Sequence, residues 1–271
     1  MTDDFPTRSA SRAADRRAQK TRRRGRVTVF GVAGELLITA GLAVLLFLAW
    51  QLWWNDMVMA GSQANAANQQ AQDWIAKASQ EPVPTPTTNP DGTENYGPPP
   101  VTARPAAGQA FAVLYIPRYG ADYRRVVAEG VDTQTVLNSF QLGVGHYSST
   151  QMPGELGNFV VAGHRSAYGG AMHLIGDFQL GDKIYVQTAD GWYTYSYRNI
   201  VYVQPTGVDV LNPVPQTDAT PPTQSILTLT TCNPLLSTAE RSIAYAVFDS
   251  WRPTAAGPPA EIAASVAAAG G

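Results

Sequence analysis

Short apolar runs separated by turn residues fill the chain between residues 111 and 251. The clearest is residues 192–197, Trp-Tyr-Thr-Tyr-Ser-Tyr, whose alternation of large and small side chains is typical of a strand with one buried face. Asp190-Gly191 and Gly181-Asp182 supply turn residues between runs. The predicted strands are Phe111–Ile116, Arg125–Ala128, Asn158–Ala162, Lys183–Gln187, Trp192–Tyr197, Ile200–Val203, Ser225–Thr231 and Ile243–Phe248. Eight short strands predict an all-β barrel or sandwich, with short helices only at Val131–Asn138 and Ala171–Phe178.

One long apolar stretch precedes this region. Between residues 27 and 54 the only ionisable side chain is Glu35, and the stretch ends in Trp53-Trp54. About 20 apolar residues span a bilayer as a helix, and tryptophans favour its interface. We therefore expect a transmembrane signal anchor over residues 27–56. The alternative is a cleaved signal peptide, for which Ala64-Asn65-Ala66 offers a site of small residues.

The charge of the chain is strongly asymmetric. Residues 1–26 contain nine Lys or Arg and three Asp, whereas the rest of the chain has a net charge of −8. Because the cations lie directly before the apolar stretch, they indicate membrane topology rather than a nucleic-acid-binding arm. We expect residues 1–26 to be a basic cytoplasmic tail of a single-pass protein of the cell membrane. The folded domain would then be extracellular, and no nucleic acid is expected as a partner.

Two flanking segments lack the pattern of a packed core. Residues 57–80 are rich in Ala, Gln and Asn and could form a short juxtamembrane helix, and residues 81–109 contain eight prolines. Proline-rich chain is semi-rigid, with a reach of about 90 Å for some thirty extended residues. We expect residues 57–110 to be a juxtamembrane segment and linker, residues 111–251 the folded domain, and residues 252–271 a disordered tail.

The chain has a single cysteine, Cys232, so no internal disulfide can form. It ends a predicted strand and is followed by Asn233-Pro234, which must interrupt the strand and place the thiol at a rim. The alternative is a buried thiol that acts as a small apolar residue.

His164 follows the predicted strand Asn158–Ala162 and is likewise expected at a strand end. Imidazole exchanges protons near neutral pH, so a cysteine and a histidine brought together can carry out acyl transfer. His146 and His173, the other two histidines, compete for this role.

Arg241 lies nine residues after Cys232. If the last two strands pair, its guanidinium returns beside the thiol, where it could donate hydrogen bonds to a substrate carbonyl or an oxyanion. The alternative is a surface arginine paired with Glu240 or Asp249.

These residues lie in motifs that resemble those of sortases. Thr228-Leu229-Thr230-Thr231-Cys232 resembles the family's TLxTC signature, and Ala162-Gly163-His164-Arg165 resembles its histidine motif. Arg241 falls where the family's arginine follows its cysteine. The resemblance covers about residues 111–250 and implies an eight-stranded closed sortase-type β-barrel with one or two short helices. The Gly145-His146-Tyr147 segment, the proline-rich spacer and the anchor are most similar to class E sortases of actinobacteria.

The resemblance also implies a mechanism. Cys232 would attack the Thr carbonyl of a C-terminal sorting motif of the LAxTG or LPxTG type, and His164 would protonate the leaving amine of Gly. Arg241 would hold the peptide and the oxyanion. An amine of a cell-wall precursor of the lipid II type would then resolve the thioester. No cofactor or metal is implied, and the sequence shows no metal-ligand spacing.

Further contacts to the substrate are expected around this triad. The Thr231 side chain or the backbone N–H of Asn233 could help to hold the oxyanion, and His146 and Tyr147 are candidates for substrate binding. Tyr119, Tyr123 and Tyr147 are candidates for a tyrosine that selects the substrate.

Other readings predict different features. An L,D-transpeptidase carries a His two residues before its Cys, where this chain has Thr230, and a papain-like hydrolase has its Cys before its His. A membrane-tethered extracytoplasmic β-barrel that only binds a partner stays open, and it predicts that mutation of Cys232 leaves function intact.

Overall fold

The computed structural model describes residues 28–50, 54–90, 92–218 and 221–270. The chain divides into two units after Trp50. The first contains helix α1, Val29–Ala49, which begins where the Thr28 hydroxyl accepts a hydrogen bond from the Gly31 N–H. This helix is long and apolar enough to cross a membrane. The predicted tail at residues 1–26 and parts of the predicted 27–56 anchor lie outside the described residues.

The second unit is built around a closed barrel of eight strands, which confirms the predicted fold. Two short strands, β1 (Thr87–Thr88) and β2 (Glu94–Asn95), precede the barrel in the chain. The barrel strands are β3 (Ala110–Tyr115), β4 (Arg124–Glu129), β5 (Gly143–His146), β6 (Gly157–Gly163), β7 (Lys183–Gln187), β8 (Gly191–Val203), β9 (Ser225–Asn233) and β10 (Glu240–Pro253). The strand order around the barrel is β10-β8-β7-β3-β4-β5-β6-β9, and β9 pairs with β10 to close it. Neighbouring strands are antiparallel except for β4–β5 and β6–β9, which are parallel.

Three local features differ from the sequence prediction. Strand β5 was not predicted, because two of its four residues are glycine and carry no alternating pattern. The two predicted strands at 192–203 are one long strand, β8. The two predicted helices are single turns, Thr133–Leu137 and Ile175–Asp177.

Alternation along the strands divides the core between the inside and the outside of the barrel. The interior contains residues such as Phe159, Leu227 and Ala244. On the outside, a second cluster forms between the barrel and two helices, α2 (Asn55–Ala78) and α3 (Ala260–Ala268).

Helix α2 corresponds to the juxtamembrane helix expected within residues 57–80, and it also packs on the barrel as a structural layer. Its buried side chains recur every three or four residues, as on one face of a helix. Three of the six, Ala67, Ala71 and Trp74, belong to the outer cluster. Arg124 of β4 also donates a hydrogen bond to Asn68 of this helix at 2.5 Å. The buried residues are Met59, Gln63, Ala67, Ala71, Trp74 and Ala78.

The C-terminal stretch is ordered, contrary to the expected disordered tail at 252–271. Strand β10 continues to Pro253, and α3 follows. Ile262 and Val266, four residues apart and therefore on one face of α3, are buried in the outer cluster.

The proline-rich segment lies along the barrel instead of extending away from it. It forms a small hairpin, β1 (Thr87–Thr88) with β2 (Glu94–Asn95), and then two of its carbonyls accept hydrogen bonds from the barrel. The Tyr193 hydroxyl donates to the Pro100 carbonyl and the Trp251 indole to the Gly97 carbonyl, both at 2.7 Å. Proline lacks an N–H but keeps its carbonyl acceptor, so such a segment can be held without joining a sheet.

Candidate active site

The parallel pairing of β6 with β9 brings the histidine and cysteine motifs to one end of the barrel. Ala162 lies opposite Thr230 in this pairing. His164 lies two residues after Ala162, and Cys232 lies two residues after Thr230. Because neighbouring parallel strands run in the same direction, their carboxyl ends meet at the same edge.

Strand β10 returns from that edge and brings the arginine back. Arg241 lies directly opposite Cys232 in the antiparallel β9–β10 pair. Side chains of directly opposed residues project from the same face of a sheet, with Cβ atoms about 4.5–5.5 Å apart. The predicted return of Arg241 beside Cys232 is therefore present in the strand register.

These two side chains lie on the outer face of the barrel. Leu227 and Leu229 belong to the interior cluster, so Cys232, an odd number of residues away, projects outward. Ile243 and Tyr245 belong to a third, smaller cluster, which is separate from the one under the helices and also lies outside the barrel. Arg241 projects from the same side of β10 as these two residues. Cys232 is partly exposed, so its thiol is not buried in the core.

His164 is held by two neighbours. Its Nε2 lies 2.8 Å from the amide oxygen of Asn138, and its ring lies 4.9 Å from the ring of Tyr168. An amide oxygen only accepts, so Nε2 carries the proton and Nδ1 is the nitrogen free to accept one. Burial lowers the pKa of His164 below its ordinary value, while the carboxylate of Asp56 acts in the opposite direction. The imidazole is therefore mainly neutral at pH 7 and suited to act as a base.

Arg241 is oriented by main-chain carbonyls. Its Nη1 donates to the carbonyls of Thr238 at 3.0 Å and Glu240 at 2.9 Å. The carboxylate partners considered above bind other groups: Glu240 accepts from the side chain of Asn233, and Asp249 pairs with Lys183. A guanidinium has five N–H donors, so the two bonds of Nη1 leave donors for a substrate.

Tyr147 is influenced by the charges of both the thiol and the guanidinium. Burial raises the pKa of its hydroxyl, Arg241 lowers this pKa, and Cys232 raises it. Its backbone N–H donates to the Val160 carbonyl at 3.0 Å, which fixes it beside β6. The role of Tyr147 in substrate binding stays a prediction.

His146, the preceding residue, is not at the site, and the expectation that it contacts substrate is wrong. Alternation turns it into the barrel, where it is fully buried between Phe111 and Phe159. Its Nδ1 lies 2.7 Å from the Glu129 carboxylate, which also pairs with Arg104 at 3.2 Å. His146 therefore belongs to a buried polar network that fastens residue 104 of the proline-rich segment to the barrel.

Two other predicted side chains are occupied by structural bonds. The Thr231 hydroxyl is buried and donates to the Gly163 carbonyl at 2.7 Å, so its single proton ties β9 to the end of β6. The Asn233 side chain donates to Glu240 at 2.8 Å and accepts from Arg165. The side-chain oxyanion role considered for Thr231 is therefore not supported, and the backbone N–H of Asn233 stays a prediction.

Among the described residues, the remaining candidates contact groups other than the thiol. Tyr119 and Tyr123 pack against each other, with ring centroids 5.0 Å apart, and the Tyr123 hydroxyl donates to the Ala171 carbonyl. His173 is exposed, and its Nδ1 lies 3.0 Å from the Arg165 carbonyl.

Sequence reasoning missed three residues that hold the site together. Asn138 and Tyr168 contact His164, and Arg165 donates to the Cys232 carbonyl at 3.4 Å and to Asn233. Arg165 is next to His164 in its motif and could have been noticed. Asn138 carries no such signal, because 26 residues separate it from the histidine.

Comparisons with known proteins show the family of the chain. The sortase domain family model matches residues 114–249. Sortase SrtE1 of Streptomyces coelicolor is 34% identical over 264 residues, which cover 95% of this chain and 68% of that protein. Sortase SrtE2 of the same organism is 30% identical over 233 residues, covering 83% and 84%. The solved structure of sortase E from Streptomyces avermitilis is 36% identical with a TM-score of 0.52, and covers 58% of this chain and 99% of that one.

A closed eight-stranded barrel with a cysteine, a histidine and an arginine at one end defines a class of cysteine transpeptidases. The chain belongs to this class as a member of the sortase family, and the relatives above are class E sortases.

Proposed function

We propose that this sortase cleaves a C-terminal sorting motif of the LAxTG or LPxTG type between Thr and Gly, and transfers the protein to an amine of a lipid II-type cell-wall precursor. The observation that carries this proposal is the meeting of His164, Cys232 and Arg241 at one outer edge of the barrel. A solved relative, sortase E1 from Streptomyces coelicolor, is described with a tripeptide in its active site. That description supports a peptide substrate here.

His164, Cys232 and Arg241 have different roles in the proposed reaction. The neutral His164 takes the proton of the Cys232 thiol, and the thiolate attacks the Thr carbonyl carbon. Donors of Arg241 stabilise the oxyanion of the tetrahedral intermediate. The Thr–Gly bond then breaks, the Gly amine leaves with the proton from His164, and a thioester stays on Cys232. The incoming amine attacks this thioester, and the thiol is regenerated.

In this proposal Tyr147, whose hydroxyl is influenced by the charges of Cys232 and Arg241, lines the peptide site. Helix α1 anchors the protein in the cell membrane, with residues 1–26 in the cytoplasm and the barrel outside. In this orientation the enzyme meets sorting signals and precursor amines on the outer side of the membrane.

The chemistry is tested by mass spectrometry of the full chain in detergent micelles, incubated with LAxTG and LPxTG peptides. Because Cys232 is the only cysteine, any thioester adduct is assigned without ambiguity. We expect an adduct of the peptide truncated after Thr, its release by an added amine, and its absence in Cys232→Ala. Cleavage that persists in Cys232→Ala would contradict the assigned roles, as would a folded wild type that forms no adduct.

The orientation is tested in intact cells with a membrane-impermeant maleimide. We expect Cys232 to be labelled from outside, and labelling only after permeabilisation would reverse the proposed topology.

A further inference from the structure

Helix α2 inserts one side chain between the two loops that flank His164. Gln63 is fully buried, and its Nε2 donates to the Ser139 carbonyl at 2.9 Å and to the Tyr168 carbonyl at 3.0 Å. These carbonyls lie 76 and 105 residues away along the chain. One amide group therefore joins three separate segments.

Both carbonyls belong to the immediate surroundings of the imidazole. Ser139 follows Asn138, whose amide oxygen accepts the hydrogen bond from His164 Nε2. Tyr168 itself places its ring against His164. Gln63 thus fixes the backbone beneath both groups that hold the histidine.

Two glycines, Gly143 and Gly169, leave the space that the Gln63 side chain occupies. A Cβ added to Gly143 or Gly169 would lie 2.5 Å and 2.7 Å from atoms of the Gln63 side chain. Both glycines also have positive φ values, and so does Tyr168, at 53°. A non-glycine residue in this region is strained and needs surrounding structure to hold it there. The bond from Gln63 to the Tyr168 carbonyl supplies such support.

A second residue of α2 acts on the same loop. The carboxylate of Asp56, in the first turn of the helix, lies 3.5 Å from the Gly169 N–H. It is also the charged group whose effect on the pKa of His164 opposes that of burial.

We propose that Gln63 is a positioning residue for His164, so that the helix following the membrane anchor forms part of the active site. This inference rests on the proposed role of His164. Gln63 acts through the 138–139 and 168–169 loops, and keeps Nε2 bonded to Asn138 and Nδ1 free to exchange protons with Cys232 and the leaving amine.

The same helix provides a matched control. Gln72 donates from its Nε2 to the Val266 carbonyl of α3 at 3.1 Å, a bond of the same kind that involves no loop of the site. Gln63→Met and Gln72→Met each keep the side-chain length and remove the donors. If Gln63 only stabilises the fold, the two variants should behave alike.

The test uses the full chain in detergent micelles. It measures kcat and KM for the sorting peptide, the melting temperature, and the ¹H–¹³C signal of His164 Cε1 at pH 7. We expect Gln63→Met to lower kcat at least tenfold with KM changed less than twofold, and to shift the His164 signal. Gln72→Met should leave kcat within twofold and the signal in place. Gln63→Glu is a second variant, for use if Gln63→Met does not fold. Its carboxylate would face two carbonyls and could not donate to them, so we expect the same loss of kcat.

The proposal is overturned if the Gln63 variants keep kcat within twofold, or if kcat falls equally in the Gln63 and Gln72 variants. A wild type without thioester formation would refute the proposed function instead. The His164 signal would then still decide the positioning role, because an unchanged signal in Gln63→Met refutes it.

Discussion

Arg241 on β10 lies directly opposite Cys232 on β9, and its guanidinium is held at the barrel edge by the carbonyls of Thr238 and Glu240. This pairing depends only on strand register and places a permanent positive charge beside the thiol. It is the geometry required to stabilise negative charge that develops on a carbonyl bound at Cys232.

Replacement of Arg241 should therefore slow acylation. Removal of one oxyanion donor typically costs about 10²–10³ in rate, and we expect a loss of that order in kcat for Arg241→Ala. Arg241→Lys should recover only part of it, because an ammonium lacks the planar fork of donors. Arg198→Ala, at an exposed position of β8, is the control. Equal thioester formation in Arg241→Ala and wild type would contradict this role.

The pKa of His164 should be below the ordinary value of 6.5, because burial disfavours the charged imidazole. The rate of thioester formation should then fall only as the pH drops through this lowered pKa. In the same window the unfolded chain binds more protons than the folded one, so the free energy of unfolding also falls as the pH drops below about 6.5. A ¹³C NMR titration of the three histidines, with His164→Gln to assign the signal, measures the pKa directly. A value above 6.5 would show that the Asp56 carboxylate outweighs burial.

Trp74 should be a major source of stability, because it joins α2 to the outer core of the barrel. Truncation of a buried aromatic residue costs about 3–5 kcal/mol, so Trp74→Ala should lower the melting temperature by at least about 6 °C. Tyr202→Ala removes an aromatic ring that is 57% exposed and should change it by less than about 2 °C. Similar melting temperatures for the two variants would show that α2 does not pack as described.

The C-terminal helix should also contribute to folding. Ile262→Asp places a charge in the outer cluster, where no solvent compensates it, and should lower the melting temperature. Ala264→Asp makes the same change on the exposed side of α3 and should be tolerated. If both variants melt at the wild-type temperature, the segment after Pro253 is not part of the folded unit.

Much of the candidate site could be read from the sequence, because strand ends leave local signals. The apolar runs before His164 and Cys232 indicate where two strands stop, and Pro234 indicates why the second must stop. The placement of His146 and Tyr147 was harder. Adjacent residues of a strand face opposite sides, and which side is inside depends on the register of β5, a strand with almost no pattern of its own.

The apolar N-terminal helix, most of the barrel strands and the three residues of the motifs could be predicted from local patterns, since each depends on the order of side chains within a few positions. Three further features are visible only in the folded chain: β6 and β9 are parallel neighbours, the proline-rich segment and the C-terminal helix pack on the barrel, and Gln63 supports His164. These contacts join residues far apart along the chain. Their partners are selected by closure of the barrel and by burial of surfaces from different segments, which no local pattern encodes.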